Sequence, residues 1–371
     1  MARPLLDRYL EPARVLPLTP SMARRVGGSI LDSWRAGETA RTLPSAVGID
    51  ISDACNIACT VCSREIAWDK RRHPFLSLES FRHLYDQIRP AYLSLSGYGE
   101  TTLNKYLPEM VAHAAAQGSR VGLITNGTLL DTTRAQALLE AGLAKLKVSI
   151  DAADPEVYAL HRAGADLEVV LGNVERMMGM RDAQRRPGPL VELQLVIFRE
   201  NVDQVRKLID LCHARLPGVQ PNFLVMFTYG EQAGFTEKAL PMKDPAVLAE
   251  LDAARALATK YGFRRTLGSL DSAVIQLTRD LSSAPCFVPW YSCLISTDGD
   301  VYACCHHTIR GIKLGNALEL PFADIWNGAS MQAFRRSLKE NRCADNVCAT
   351  CRYEDGPMAR AFGVVDKVLR R

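Results

Sequence analysis

Three closely spaced cysteines constrain this chain more than any other feature of its sequence. Cys55, Cys59 and Cys62 follow one another with C-x3-C-x2-C spacing, directly after the apolar run 47–51. Each thiolate of such a tight loop can bind one iron of a [4Fe-4S] cluster. The next cysteine is Cys212, so one iron would stay open to another ligand. A zinc knuckle or a group of structural thiols is the alternative, although zinc usually takes four ligands in paired C-x2-C form.

The chain around this loop alternates predicted strands with amphipathic helices. Strand candidates are the short apolar or β-branched runs 47–52, 91–96, 120–125, 145–150, 190–198 and 222–227. Helices are predicted over 23–38, after the capping residue Ser77, near Leu107, and near 132–141, 167–182, 201–214 and 244–261. This order predicts an α/β fold of parallel units, a partial (β/α)6 TIM-like barrel whose ligand site lies at the carboxyl ends of the strands.

Glycine and polar residues follow the second and third predicted strands. Gly97, Gly99 and Glu100 end the second strand, where glycines permit close approach of the backbone and a carboxylate can accept hydrogen bonds from an ammonium group. Asn126 and Gly127 end the third strand, and a plain Asn-Gly turn is an equal interpretation. Both loops are predicted to lie at the same edge of the sheet as the cysteines.

Further polar residues follow the fourth and sixth predicted strands. Ser149 and Asp151 end the fourth strand, and Arg162 lies shortly after it. A helix cap and a surface ion pair are the alternative roles for the aspartate and the arginine. Tyr229 and Glu231 follow the sixth strand, where a contact to substrate and a plain loop role are both open.

A second cysteine-rich region lies near the carboxyl terminus. The Asp298-Gly299 pair predicts a β-hairpin that leads to Cys304 and Cys305, and a helix is predicted through Phe334. Four thiolates are enough for one fully ligated [4Fe-4S] cluster, with Cys305 as the alternative to Cys304 and a structural zinc site as the competing interpretation. The predicted ligands are Cys286, Cys304, Cys348 and Cys351. Cys293 and Cys343 remain unassigned, and Cys212 is predicted to be a buried structural residue of an amphipathic helix.

Composition excludes several classes of protein. The 371 residues are 47% hydrophobic, which suffices for a large core, and carry a net charge of only +4. That mild charge does not favour nucleic acid as a partner, and no apolar run reaches the length of a membrane span. Eleven cysteines without a signal peptide indicate metal binding in the reducing cytoplasm.

These motifs together resemble the radical S-adenosylmethionine (SAM) superfamily over roughly residues 45–355. The carboxyl-terminal motifs resemble the SPASM and shorter twitch auxiliary iron–sulfur domains. The resemblance implies a SAM molecule on the open iron of the first cluster and at least one auxiliary [4Fe-4S] cluster. It implies SAM contacts from Gly97, Gly99, Glu100, Asn126, Ser149, Asp151 and Arg162. Val61 stands where the family usually has an aromatic residue near the adenine.

The same resemblance implies a division of the chain and a set of functions. Predicted boundaries are an extension at 1–44, the barrel at 45–240, a linker helix region at 241–284, the small hairpin-plus-helix auxiliary domain at 285–355 and a tail at 356–371. The first expectation is hydrogen abstraction from a carbinol carbon of a small sugar-like or aminocyclitol-like molecule. Oxidation would follow, or epimerisation if a thiol such as Cys293 returned a hydrogen atom.

Two other functions are also consistent with these motifs. The alternative is a SPASM-type maturase of a ribosomal peptide or protein, although no leader-binding domain is predicted. A non-catalytic iron–sulfur or zinc-binding protein is the second alternative. For either enzyme the expected electron donor is a flavodoxin- or ferredoxin-type reductant.

Overall fold

Most strands of the described chain belong to one sheet. The computed structural model describes residues 19–62, 64, 73–226, 235–279, 286–307, 311–340, 347, 348 and 351. The strands are β1 (Ala46–Asp50), β2 (Ala58–Cys59), β3 (Tyr92–Ser96), β4 (Arg120–Thr125), β5 (Lys145–Ser149), β6 (Arg162–Ala163), β7 (Leu190–Ile197), β8 (Gln220–Val225), β9 (Ser292–Ile295), β10 (Asp300–Tyr302) and β11 (Lys313–Asn316). In these residues, β2 pairs with β6 and the other nine strands form a sheet in the order β11-β10-β9-β1-β3-β4-β5-β7-β8.

The predicted barrel strands are confirmed as neighbouring parallel strands. β1, β3, β4, β5, β7 and β8 pair in sequence order, each parallel to the next. The sixth strand ends at Val225, and residue 227 of the predicted run lies outside the described residues. Helices cover the sheet between successive strands, as expected for βαβ units. The α/β prediction with a TIM-like partial barrel is therefore correct.

Helices form where apolar residues recur on one face. Ser77 accepts a hydrogen bond from the Ser80 amide as the helix cap, and Phe81, Leu84 and Ile88 are buried, as predicted. The α-helices are Pro20–Arg35, Leu78–Ile88, Leu107–Ala116, Thr132–Glu140, Pro155–His161, Leu167–Ala183, Gln204–Arg215, Pro245–Lys260, Arg264–Thr278, Val288–Tyr291, Phe322–Trp326 and Ala329–Lys339, with short 3-10 turns at Thr101–Leu103 and Arg199–Asn201. Helix Arg264–Thr278 was not predicted. No helix of the described residues has the length and hydropathy of a membrane span.

The carboxyl-terminal hairpin continues the barrel sheet. β9 is parallel to β1, with Val47 opposite Cys293, while β10 and β11 are antiparallel additions beyond it. Gly299 has a φ of +85°, which the tight turn between β9 and β10 requires. The sheet therefore crosses the predicted boundary at residue 285, and β1 lies between β3 and β9.

The segment before β1 packs against the carboxyl-terminal region. The Asn327 side chain exchanges hydrogen bonds with the backbone of Ala40 at 2.9 and 3.0 Å. The Trp290 indole donates to the Gly37 carbonyl at 2.7 Å, and Arg335 donates to the Glu38 carbonyl at 3.0 Å. Residues 37–40 of the predicted extension thus attach to the auxiliary region.

Candidate active site and iron–sulfur centres

A cavity of about 420 Å³ lies at the carboxyl ends of the barrel strands. It collects every residue predicted for the first cluster and for SAM. These lining residues are Cys55, Cys59, Cys62, Gly97, Gly99, Glu100, Asn126, Ser149, Asp151 and Arg162. Parallel α/β folds place ligands at this edge because the loops after several strands meet there. The cavity is therefore the candidate active site.

Backbone pairing holds the cysteine loop against the segment that follows β5. The two-residue strand β2 pairs with β6, so that Cys59 lies opposite Arg162. The Thr60 amide donates to the His161 carbonyl at 3.0 Å. Asn126 donates from its side chain to Asn56 at 3.0 Å. The asparagine predicted to bind cofactor thus also positions the cysteine loop.

The two predicted cofactor glycines allow the loop after β3 to pack on the loop after β1. A Cβ atom at Gly97 would overlap the Ser52 carbonyl oxygen, and one at Gly99 would overlap that of Ala54. Backbone hydrogen bonds join the same loops, from Gly99 N to Ser52 O at 3.0 Å and from Glu100 N to Ala54 O at 2.7 Å. The glycines are needed for this close approach of two backbones immediately before Cys55.

Glu100 connects the end of β3 to the end of β4. Its Oε1 accepts from the Thr102 amide and hydroxyl at 3.0 and 2.6 Å and from the Thr125 hydroxyl at 2.5 Å. Its Oε2 accepts from the Asn126 amide at 2.6 Å. With only 2% of the residue exposed, this carboxylate is largely satisfied by the protein, and Oε2 keeps one lone pair for a further donor.

Asp151 and Arg162 form a buried ion pair in the cavity wall. Nε of Arg162 lies 2.8 Å from Oδ2 of Asp151, and both residues are less than a tenth exposed. Oδ1 of Asp151 and the hydroxyl of buried Tyr158 have no hydrogen-bond partner in the described structure. Asp151 belongs to the cavity wall, and a buried carboxylate oxygen without a partner is suited to a ligand hydroxyl or amine. The residues present therefore fit SAM, which carries both groups.

The three thiols of the cysteine loop line one cavity, but they do not form a ready site for a single metal ion. No close group of three or more His, Cys, Asp or Glu side chains that would hold one metal ion occurs in the described part of the chain. Burial raises the pKa of Cys59 to about 11, although the nearby Arg162 charge acts to lower it. Thiols must lose their protons to bind iron, so this loop is a site whose ligands ionise when the cluster binds.

The predicted auxiliary ligands lie partly buried behind the hairpin. Cys304 lies close enough to Cys286 for their charges to interact. Burial raises the pKa of Cys304, and the neighbouring Cys305 and Cys286 raise it further. Cys305 is exposed and lines the active-site cavity. Cys348 and Cys351 are half-buried and joined by a backbone hydrogen bond of 3.2 Å. Cys343 lies outside the described residues, as do Tyr229 and Glu231.

Two other cysteines lie in the hydrophobic core. Cys212 is fully buried, as predicted for a structural residue. Cys293 is 2% exposed on the core side of β9, and the cavity is lined instead by its neighbour Leu294. Burial strongly raises the pKa of Cys293. This location gives no support to the predicted hydrogen-donor role of Cys293, because its thiol does not reach the cavity.

The cavity also contains residues that were not predicted, notably Asp50 and Leu294. Asp50 is the last residue of β1, is 4% exposed and accepts from the Ser96 hydroxyl at 3.0 Å. A polar residue that ends an otherwise apolar strand is a signal that would have identified it. Leu294 had no such signal, because its place depends on the pairing of β9 with β1.

Two family models match separate regions of the chain, and whole proteins are similar to it over most of its length. The radical SAM superfamily model matches residues 49–212, and the SPASM iron–sulfur cluster-binding domain model matches residues 286–352. A PqqA peptide cyclase of Xanthomonas campestris pv. campestris is 30% identical over 83% of this chain and 79% of its own length.

Two solved structures share the fold at low sequence identity. Streptococcus suis SuiB bound to the precursor peptide SuiA has a TM-score of 0.61 at 16% identity, covering 85% of this chain and 74% of that one. Native anSMEcpe with AdoMet and the Cp18Cys peptide has a TM-score of 0.58 at 17% identity, covering 88% and 98%.

These comparisons correct the expected substrate class. The small sugar-like or aminocyclitol-like substrate is wrong, because the curated relatives are named for a peptide. The expected oxidation or epimerisation of a carbinol carbon fails on the same ground. SAM and iron–sulfur clusters are the cofactors, as the two family models imply. The chain belongs to the radical SAM superfamily and carries a carboxyl-terminal SPASM domain.

Proposed function

We propose that this protein is a peptide maturase, which binds SAM in the strand-end cavity and modifies a side chain of a ribosomally made peptide. The main support for this proposal is that one cavity brings the three cysteines of the first cluster together with the residues predicted to bind SAM. The peptide substrate is supported by the similarity to PqqA peptide cyclases over 83% of the chain.

Different residues of the cavity would bind the iron–sulfur cluster and SAM. Cys55, Cys59 and Cys62 would bind three irons of the first cluster, because they are adjacent thiols on one loop. Asp151, whose Oδ1 has no partner, would accept from SAM, and Arg162 would hold that aspartate in place. When bound, the cluster and SAM supply a 5′-deoxyadenosyl radical that removes a hydrogen atom from carbon.

The carboxyl-terminal side of the cavity would receive the peptide. Cys305 and Leu294 of this region line the same cavity as the cysteine loop. Cys304, the residue next to Cys305, is the proposed auxiliary-cluster ligand together with Cys286, Cys348 and Cys351. A substrate in this cavity would therefore lie close to both proposed iron–sulfur centres. A small flavodoxin- or ferredoxin-type protein remains the proposed electron donor.

The test combines cofactor content with peptide mass. Anaerobically reconstituted protein should contain about eight irons, and the Cys55→Ala/Cys59→Ala/Cys62→Ala variant about four, as for one cluster lost. The parent should form 5′-deoxyadenosine with SAM and a chemical reductant, and the triple variant should not. Incubation with a panel of peptides that includes the PqqA peptide should change the mass of at least one peptide, and only in the presence of SAM and the reductant.

The outcomes separate the remaining functions. Formation of 5′-deoxyadenosine without a change of mass in any peptide would contradict the maturase assignment and leave the radical chemistry intact. Zinc in place of iron, with no SAM cleavage, would support the non-catalytic metal-binding alternative. Glu109→Ala, a change at an exposed helix position, serves as the handling control because the side chain lies outside the cavity.

A further inference from the structure

His307 lies between two of the proposed auxiliary-cluster ligands. It is 1% exposed, and its backbone amide donates to the Cys304 carbonyl at 3.2 Å. Its ring nitrogen Nε2 lies 3.4 Å from Sγ of Cys348, within hydrogen-bond distance for sulfur. No motif of the sequence assigns this histidine a role, yet the fold brings it to a proposed cluster ligand far along the chain.

The hydrogen bonds of the ring define which nitrogen carries the proton. The Ile312 amide donates to Nδ1 of His307 at 3.2 Å. A nitrogen that accepts a hydrogen bond carries no proton, so the proton of the neutral ring is on Nε2. Nε2–H therefore points at Cys348 as a donor, and the sulfur is the acceptor.

Packing fixes the ring in this orientation. The Phe334 ring meets the imidazole edge-to-face, with centroids 4.9 Å apart and planes at 89°. The Gly311 amide donates to the His307 carbonyl at 2.8 Å, and a Cβ atom at Gly311 would overlap the imidazole. Backbone and aromatic contacts thus hold the imidazole with Nε2 within hydrogen-bond distance of the Cys348 sulfur.

We propose that His307 is a positioning residue of the auxiliary cluster, whose Nε2–H donates to the Cys348 thiolate and raises the reduction potential of the cluster. A donor to a ligand sulfur stabilises the additional negative charge of the reduced cluster more than the charge of the oxidised one. The proposal rests on the proposed ligand role of Cys348. It concerns electron transfer at the auxiliary site and not SAM binding.

The test measures the auxiliary cluster alone. In the Cys55→Ala/Cys59→Ala/Cys62→Ala background, the electron paramagnetic resonance signal of the reduced protein belongs to the auxiliary site. His307→Asn keeps an amide oxygen near the position of Nδ1 and removes the donor to sulfur, while His307→Gln extends an amide N–H toward the position of Nε2. Potentiometric titration should shift the midpoint to a more negative potential in His307→Asn and leave His307→Gln nearer the parent.

Three results would overturn the proposal. One is a His307→Asn midpoint equal to that of the parent, with iron content unchanged. Another is a nitrogen hyperfine coupling of 15N-histidine protein strong enough for an iron–nitrogen bond, which would make His307 a ligand and not a donor. The third is retention of the full auxiliary iron in Cys348→Ala, which removes the assumed ligand. None of these measurements uses peptide modification, so failure here is distinct from failure of the proposed function.

Discussion

Cys59 lies opposite Arg162 in a two-residue antiparallel ladder, and the Arg162 side chain forms an ion pair with Asp151 2.8 Å away. The middle thiol of the cysteine loop and the charged pair of the cavity wall are consequently positioned by the same short stretch of backbone. A change in the pair should therefore alter both the stability of the loop and the binding of SAM.

Arg162→Gln should destabilise the protein strongly, because Asp151 would remain as an unpaired charge in a buried site. Loss of one partner of such a pair costs about 3–5 kcal/mol. Unfolding of the cluster-free protein in urea should show the loss as a lower midpoint, with weaker SAM binding to the reconstituted protein. Adding Asp151→Asn to Arg162→Gln should recover part of the stability, since it removes the unpaired charge. An unchanged midpoint for the single variant would contradict the buried pair.

Gly99→Ala should lower the iron content and the thermal stability. The new Cβ would overlap the Ala54 carbonyl oxygen, so the loop that leads to Cys55 would have to shift. Gly179→Ala is the matched control, because Gly179 lies within helix Leu167–Ala183 with no atom close to an added Cβ. The control should keep its iron and gain up to about 1 kcal/mol from the better helix former. Equal iron content in the two variants would argue against the need for glycine at position 99.

Cys304→Ala and Cys305→Ala should differ in iron content. Cys304 interacts electrostatically with Cys286 and Cys305 with Cys351, but of the two only Cys305 lines the active-site cavity. Loss of the former thiol should remove about four irons, and loss of the latter should leave the count near that of the parent. Iron and sulfide analysis after anaerobic reconstitution makes the comparison. The reverse pattern would assign Cys305 as the ligand, which is the alternative that the sequence left open.

Glu100→Gln should destabilise the cavity despite its similar shape. Four donors converge on the Glu100 carboxylate, and the amide group of glutamine would present hydrogens to part of this set. Hydrogen bonds to a buried charged group contribute about 1.5–3 kcal/mol each, so a loss of that order is expected in urea unfolding. Glu109→Gln should change stability by less than about 0.5 kcal/mol, because that side chain is exposed. Similar values for both variants would mean that the Glu100 contacts contribute little.

The six barrel strands and the position of the cysteine loop were predictable because they depend on local patterns. Apolar runs bounded by polar residues predict buried strands, and the loop after the first of them carries Cys55. The Ser77 cap depends on a side chain and an amide only three residues apart. Such signals require no knowledge of how distant parts of the chain meet.

The remaining features depend on distant pairings that no local pattern reports. The contact of Asn56 with Asn126 and the pairing of β9 with β1 join separate regions of the chain. Without the strand pairing, the side chains that alternate along β9 could not be assigned to the core or to the cavity, so the sequence did not show that Cys293 is buried while Leu294 lines the cavity. Helix Arg264–Thr278 begins after Phe263 without a side-chain cap, so its start carried no sequence signal.

The parallel pairing of β1 with β9 imposes an order on biosynthesis. A ribosome makes the amino-terminal strand early, but residues 292–295 that complete its second edge emerge only when most of the chain has been made. Until then, the strand that leads to the cysteine loop has an open edge, and contacts between such distant residues form slowly. Iron delivery to the first cysteine site is therefore expected to follow translation of the carboxyl-terminal region, so a ribosome stalled before β9 should hold a nascent chain that acquires no stable cluster.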